Sequence, residues 1–336
     1  MKIGLVLEGG GMRGLFSAGV LDALLELKEL SVNGIVGVSS GALFGVNYVS
    51  KQKERAVRYN KKYADDKRYM GLHSWITTGN AVNKDFAFYE LPCKLDVFDN
   101  ETFKKAETDF YVVMTNVESG KPEYVLIEDA FAQMEYLRAT SALPFASKII
   151  EINGKKYLDG GISDSIPIDF CESLGYDKII AILTRPEGTY KEDKLGFLYK
   201  LVYRKYPNLV NSLLNMATDY EKVLAKIKDL ENNILYVCQG FHNEKLYSDS
   251  LLASSLSFTT KDPQPNKFTC TAKFRYRQPD TEVDVEILED DKVKVVYKNP
   301  VRAVTPGQAV VFYDGDVCLG GAIIDEVYKD GKKLQV

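Results

Sequence analysis

The stretch Gly37-Val38-Ser39-Ser40-Gly41 constrains this chain more than any other, because it sits between two apolar runs, Gly34-Ile35-Val36 and Ala42-Leu43-Phe44-Gly45-Val46. A strand that ends on a serine, carries glycine two residues to either side and turns at once into a helix is a G-x-S-x-G elbow. The turn is tight, and a side chain at position 37 or 41 would collide with the strand or helix it joins. Ser39 is therefore the candidate nucleophile. The helix that follows points its N-terminal N–H groups and positive dipole end at the place where an oxyanion would form.

One strand earlier, the uninterrupted apolar run Lys2-Ile3-Gly4-Leu5-Val6-Leu7 reads as a parallel strand buried on both faces. It leads into Glu8-Gly9-Gly10-Gly11-Met12-Arg13-Gly14 and then a helix with Leu15, Val20, Leu21, Leu24 and Leu25 on one side. Strand, glycine turn, helix, strand, elbow, helix is the alternation of an α/β sheet. The three glycines would serve either a phosphate or dinucleotide cradle, or an oxyanion hole. The spacing is not G-x-G-x-x-G and no Gly-Lys-Ser/Thr follows, which weakens the cradle. With an elbow on the next strand, backbone N–H groups from Gly9, Gly10 and Gly11 are better read as an oxyanion hole. Neighbouring parallel strands end on the same sheet edge, so the two turns can converge.

A serine hydroxyl needs a group to take its proton. The chain has two histidines, His73 and His242. Neither follows a strand end or glycine turn, which points away from Ser-His-Asp and towards a two-residue site. Asp159 is the candidate. The hairpin signal Asn153-Gly154, between Lys148-Ile149-Ile150-Glu151-Ile152 and Lys156-Tyr157-Leu158, delivers a strand directly to Asp159-Gly160-Gly161. An isolated Asp-Gly is ordinarily just a turn. A free aspartate, with a pKa near 4, is also a poor base at neutral pH. Catalysis by Asp159 therefore requires that the site desolvate its carboxylate.

Gly9-Gly10-Gly11-Met12-Arg13-Gly14, Gly37-Val38-Ser39-Ser40-Gly41, Ala139-Thr140-Ser141-Ala142-Leu143-Pro144 and Asp159-Gly160-Gly161 occur in that order. Together they resemble the patatin-like phospholipases, serine acyl hydrolases with a Ser-Asp dyad, over roughly residues 1 to 230. The resemblance implies a three-layer α/β/α sandwich with a mainly parallel sheet, Ser39 as nucleophile and Asp159 as dyad aspartate. It also implies Gly9, Gly10, Gly11 and Arg13 at the oxyanion hole, Gly37 and Gly41 at the elbow, and hydrolysis of phospholipid or neutral acyl esters without metal or cofactor. Glu8 stands where many members have Asp, and Gly161 where some have Ala.

From about Asn208 to Asn232 the pattern is that of a long helix, ending in Asn232-Asn233. Short strands follow at Phe268 to Arg277, Glu282 to Leu288, Lys292 to Tyr297, Ala309 to Tyr313 and Gly320 to Val327, separated by turn signals. These predict a small antiparallel β-barrel. Leu235-Tyr236-Val237-Cys238-Gln239-Gly240, Ala272-Lys273-Phe274-Arg275-Tyr276-Arg277-Gln278 and Arg302-Ala303-Val304-Thr305-Pro306-Gly307-Gln308-Ala309-Val310-Val311-Phe312-Tyr313-Asp314-Gly315 resemble the central-domain end and C-terminal barrel of tRNA-specific 2-thiouridylases. The ATP-pyrophosphatase domain of that family has no counterpart here, so tRNA thiolation is not expected. The expected domains are 1–232 and 233–336.

The leading expectation is a serine acyl hydrolase. The alternative is an RNA- or tRNA-binding module acting through the barrel, where Lys273, Arg275, Arg277 and Arg302 would offer phosphate contacts. Against that alternative, Glu282, Asp284, Glu286, Glu289, Asp290 and Asp291 surround them, and the formal net charge is -4. Five cysteines without a C-x-x-C pair argue against a disulfide framework or a zinc site. The longest uncharged stretch, Leu30 to Ser50, is too rich in Gly, Ser and Asn for a membrane span. A cytoplasmic location is expected, with peripheral membrane contact through one of two basic and aromatic segments. One runs from Arg55 to Tyr69 with Arg58, Lys61, Lys62, Lys67 and Arg68; the other runs from Lys194 to Lys205. Solvated helix faces with aromatic undersides are the alternative for both.

Overall fold

The computed structural model describes residues 1–27, 30–185, 195–229, 234–238, 246–259, 264–275, 279–289 and 291–334. Lys194, His242, Tyr276, Arg277, Gln278, Asp290, Gln239-Gly240 and the expected boundary at Asn232-Asn233 lie outside them. The chain divides into two compact units, Met1–Gln239 and Gly240–Val336.

The first unit is built on an eight-stranded mixed sheet. Its strands are β1 (Ile3–Leu7), β2 (Gly34–Val38), β3 (Asp109–Asn116), β4 (Pro122–Leu126), β5 (Ile150–Ile152), β6 (Lys155–Asp159), β7 (Lys178–Leu183) and β8 (Ile234–Cys238). The strands β3, β2, β1, β7 and β8 run parallel in that order, while β4, β5 and β6 join by antiparallel pairing. Alternate residues of one strand enter two different cores. Leu5, Leu7, Ile35 and Ile182 pack with Leu21 of α1 (Leu15–Leu24) and Ala42, Val46 and Val49 of α2 (Ser40–Val49). Val6, Val36, Ala181 and Leu183 pack on the other face with Ile168 and Cys171, and with Tyr220 and Ile227 of the long helix Pro207–Asp229. Burial on both faces explains the unbroken apolar runs and gives the three layers expected from sequence.

The strand β8 falls in the segment whose sequence resembles the thiouridylases, yet it pairs with β7 and completes the sheet of the first unit. Among the described residues, no helix is long and apolar enough to cross a membrane.

The second unit is a closed six-stranded antiparallel barrel, as expected. Its strands are β9 (Tyr247–Phe258), β10 (Lys267–Lys273), β11 (Thr281–Ile287), β12 (Val293–Arg302), β13 (Ala309–Asp314) and β14 (Val317–Lys329), with the short β15 (Lys332–Lys333) added to β14. The order β9-β12-β11-β10-β13-β14 returns to β9 through a β14–β9 pairing, which leaves no open edge among these six strands. Leu251, Val283, Val285, Val293, Val295, Val310 and Phe312 fill the interior.

Candidate active site at the carboxyl edge of the sheet

Three strands contact β3. β4 pairs with Tyr111–Thr115, β2 with Asp109–Val113 and β6 with Met114–Asn116. A strand has two edges, and β4 shares residues with both of the others, so β2 and β6 occupy the same edge and meet there end to end. Val38 stands opposite Val113 and Asp159 opposite Met114. The two carboxyl ends, one leading to Ser39 and one closing on Asp159, are thus brought together by register alone.

Ser39 adopts φ 53 and ψ -125 between β2 and α2. A positive φ is costly for a residue with a Cβ, and it persists only where the surroundings over-determine it. Here they do. The Ser39 N–H donates to Thr140 Oγ1 at 3.0 Å, and that hydroxyl donates to Val113 O at 2.5 Å. The backbone of the same segment fixes the aspartate, since Asp159 N–H donates to Ala142 O at 2.9 Å and Gly160 N–H to Thr140 O at 3.3 Å. Thr115 Oγ1 adds a bond to Asp159 O at 2.8 Å. Sequence reasoning quoted the segment 139–144 without assigning Thr140 a task, although a buried Thr beside the elbow is suited to cap a strained backbone N–H.

Asp159 is buried, and its Oδ1 accepts the Gly161 N–H at 2.8 Å. Its Oδ2 is also buried and has no hydrogen-bond partner among the described residues. Burial pushes the carboxyl up to about 6, opposed by the neighbouring Ser39 hydroxyl and the Gly161 N–H. Ser39 is thus close enough to bias the ionisation of Asp159, without a bond of ordinary length and angle between them. The desolvation that sequence reasoning required is present.

The glycine turn lies against Ser39. A Cβ placed on Gly9 would stand 2.9 Å from Ser39 Cβ, so only glycine permits this approach. Gly10 leads into the short 3-10 turn Gly11–Gly14, whose Arg13 N–H donates to Gly10 O at 3.1 Å. Such a turn leaves its first N–H groups free for a ligand. The Arg13 side chain is exposed. Two polar residues hold the loop to the end of β7. Thr184 Oγ1 donates to Gly9 O at 2.6 Å, and Thr184 N–H donates to Glu8 Oε2 at 2.6 Å. Glu8 is buried, which pushes its carboxyl up, while Arg185 at 3.5 Å opposes the shift. Gly37 is paired between Leu7 of β1 and Val112 of β3, and Gly41 packs its Cα against the backbone at the end of β1.

A cavity of about 270 Å³ opens beside Ser39 and is lined mainly by apolar side chains, including Leu43, Phe44, Phe88, Leu91, Met134 and Leu137. It was not foreseen from sequence, because its walls come from segments spread between Gly11 and Leu143.

The other expected contacts fare differently. In the segment 55–69, Tyr59, Tyr63 and Tyr69 are core residues and Arg55 is buried. The second alternative therefore holds there, with aromatic undersides beneath a solvated face. In the segment reaching Lys205, Tyr199 and Tyr203 are buried, but Phe197, Leu198, Leu201 and Val202 are exposed. His73 is exposed on the helix Leu72–Thr78, away from the lining of the cavity. On the barrel, Lys273 is paired with Asp280 at 3.1 Å, Lys298 with Asp284 at 2.6 Å and Lys267 with Glu286 at 2.7 Å.

A serine held at a strained strand-to-helix turn on the carboxyl edge of a doubly covered, mainly parallel sheet defines an α/β protein with a candidate nucleophile at Ser39. Residues 5–171, about half of the chain, match the family model described as patatin-like phospholipase. Residues 248–324 match the family described as aminomethyltransferase beta-barrel domain. The chain is also similar to the tRNA-specific 2-thiouridylases MnmA of Listeria innocua and Listeria monocytogenes, each 59% identical over 121 residues, covering 36% of this chain and 33% of the relative. That of Bacillus mycoides is 58% identical over 107 residues, 32% of this chain and 29% of the relative. The chain thus spans about a third of the length of the curated relatives it matches. A solved structure, VipD from Legionella pneumophila, aligns at a TM-score of 0.34 and 14% identity, covering 71% of this chain and 61% of that one.

Proposed function

We propose that the first unit is a serine acyl hydrolase that cleaves lipid esters through an acyl-enzyme, with Ser39 as nucleophile and Asp159 as its base. The observation that carries this reading is the buried, unpartnered Oδ2 of Asp159 beside a serine held at φ 53. Ser39 Oγ attacks the ester carbonyl carbon and its proton passes to Asp159. The carbonyl π pair moves onto oxygen, where N–H groups of the Gly9-Gly10-Gly11 turn and the α2 N-terminus receive it, with Arg13 near the entrance. Collapse of the tetrahedral adduct breaks the ester C–O bond, and Asp159 returns the proton to the leaving alcohol. Water then attacks the acyl-serine, gives a proton to Asp159 and releases the fatty acid, and Ser39 recovers its proton.

The substrate approaches from a lipid surface in this proposal. Trp75 Nε1 donates to Phe145 O at 3.0 Å, and Tyr203 OH accepts the Phe145 N–H at 3.0 Å. These bonds gather two apolar faces beside Leu143, which lines the cavity. One face carries Leu72 and Ile76, and the other Phe197 and Leu201. Lys148, Lys200, Arg204 and Lys205 are exposed on the same segments and suit anionic headgroups. The proposal places the reacting groups in the first unit. The test is hydrolysis of p-nitrophenyl octanoate together with labelling by a fluorophosphonate. Both are expected in the wild type and lost in Ser39→Ala, and undiminished turnover in that variant overturns the assignment.

A further inference from the structure

The cavity beside Ser39 has two unlike parts. Met12 and Leu143, at 50% and 49% exposure, mark the mouth, where Gly11 and Ser39 also line the wall. Further along the lining lie Arg55, Asn60 and Tyr69, which are 4%, 2% and 6% exposed, with Arg55 bonded to Asn47, about 12 Å along α2 from Ser39. These groups are polar, but each already has a buried partner. Tyr69 OH donates to Asn60 Oδ1 at 3.1 Å and Asn60 Nδ2 to Ala56 O at 2.8 Å. The Arg55 guanidinium donates to Asn47 Oδ1 at 2.8 Å, pairs with Asp96 at 3.2 Å and lies over the Tyr59 and Phe98 rings.

An acyl chain bound to Ser39 would run down the apolar walls and meet these groups. To go further it would have to break buried hydrogen bonds and an ion pair, which costs more than burying another methylene returns. The available length follows from the volume. An apolar cavity of about 150 Å³ accommodates one benzene, six carbons, so 270 Å³ accommodates roughly ten or eleven. We infer that the site selects medium-length acyl groups of about eight to twelve carbons, with Arg55 and the Asn60–Tyr69 pair as the stop. This rests on the function proposed above and gives that function a substrate class.

The experiment is a chain-length profile with p-nitrophenyl esters from butyrate to palmitate. Each methylene that finds room should raise kcat/KM by about fourfold. The rise should stop between the octanoate and laurate esters, and the palmitate ester should be at least about tenfold slower than the best substrate, because the stop exceeds one lost methylene. In Tyr69→Ala the optimum should move to longer chains. A profile that climbs through palmitate, or a Tyr69→Ala profile identical to wild type, overturns the inference. Binding of decanoate and palmitate to Ser39→Ala, measured by calorimetry below their micellar limits, reads the same stop without chemistry. Tighter binding of palmitate than of decanoate overturns the stop, whereas absence of hydrolysis at every length counts against the proposed function instead.

Discussion

Asp159→Asn should abolish hydrolysis and stabilise the first unit at neutral pH. The carboxyl of Asp159 is raised from 3.8 to about 6 by burial. Two pKa units at about 1.36 kcal/mol each correspond to roughly 3 kcal/mol. The sign follows from which state holds the proton. Below pH 4 both the folded and the unfolded chain carry a protonated Asp159, and burial costs little. Between pH 4 and 6 the unfolded chain ionises first, the folded chain binds more protons, and wild-type stability falls as pH rises. Above pH 6 the full penalty is present. Asparagine carries no charge at any of these values. It can keep the Gly161 N–H bond at Oδ1 and turn its amide towards Ser39 Oγ. Allowing about 1 kcal/mol for an imperfect amide bond, the variant should be about 2 kcal/mol more stable than wild type at pH 8 and no more stable at pH 4.

Urea unfolding at several pH values measures this difference, and Trp75, the only tryptophan in the chain, reports on the first unit by fluorescence. Wild-type kcat/KM should fall about tenfold per pH unit below 6, as the base becomes protonated. A variant that is less stable than wild type at pH 8, or a difference that does not grow with pH, refutes the claim that Asp159 is held desolvated for catalysis.

Thr140 and Gly41 give two further tests. Thr140→Val keeps the shape but leaves the Ser39 N–H and Val113 O without partners, at about 1–3 kcal/mol each. Besides this loss of stability in urea, kcat should fall about tenfold or more with KM little changed, and Thr140→Ser should restore both; a pure KM effect would show that Thr140 does not position the nucleophile. Gly41→Ala puts a Cβ 2.5 Å from Leu7 O and 2.8 Å from Glu8 O. Because both are backbone atoms, α2 must shift away from β1, and the variant should lose about 3 kcal/mol of stability in the same urea assay.

What could be read from sequence, and what could not, follows from how local each signal is. The elbow, the glycine turn and the hairpin before Asp159 are each specified within a few residues, by glycines at fixed offsets and by Asn153-Gly154 between two strands. Their convergence needs only the rule that parallel strands end on one edge. The 12-residue strand β9 went unpredicted because its sequence, Tyr247-Ser248-Asp249-Ser250-Leu251-Leu252-Ala253-Ser254-Ser255-Leu256-Ser257-Phe258, is rich in serine. Only Leu251 and Ala253 bring fully buried apolar side chains to the barrel core, so the alternation that marks a strand is faint. Arg55 to Tyr69 shows the opposite error, a vivid pattern with two meanings. Tyr59 and Tyr63, four residues apart on the helix Arg55–Tyr63, point inward together, while Arg58, Lys61 and Lys62 stay outside. Basic and aromatic residues that interleave in sequence are thus separated by the helical period. The same period turns what reads as a lipid-facing stripe into the wall that closes the cavity, with Arg55, Tyr59 and Asn60 on its inner side. The proposed stop for an acyl chain was therefore present in the sequence as a helix face, but its meaning depended on Tyr69 and Asp96, which pack against that face from outside the helix.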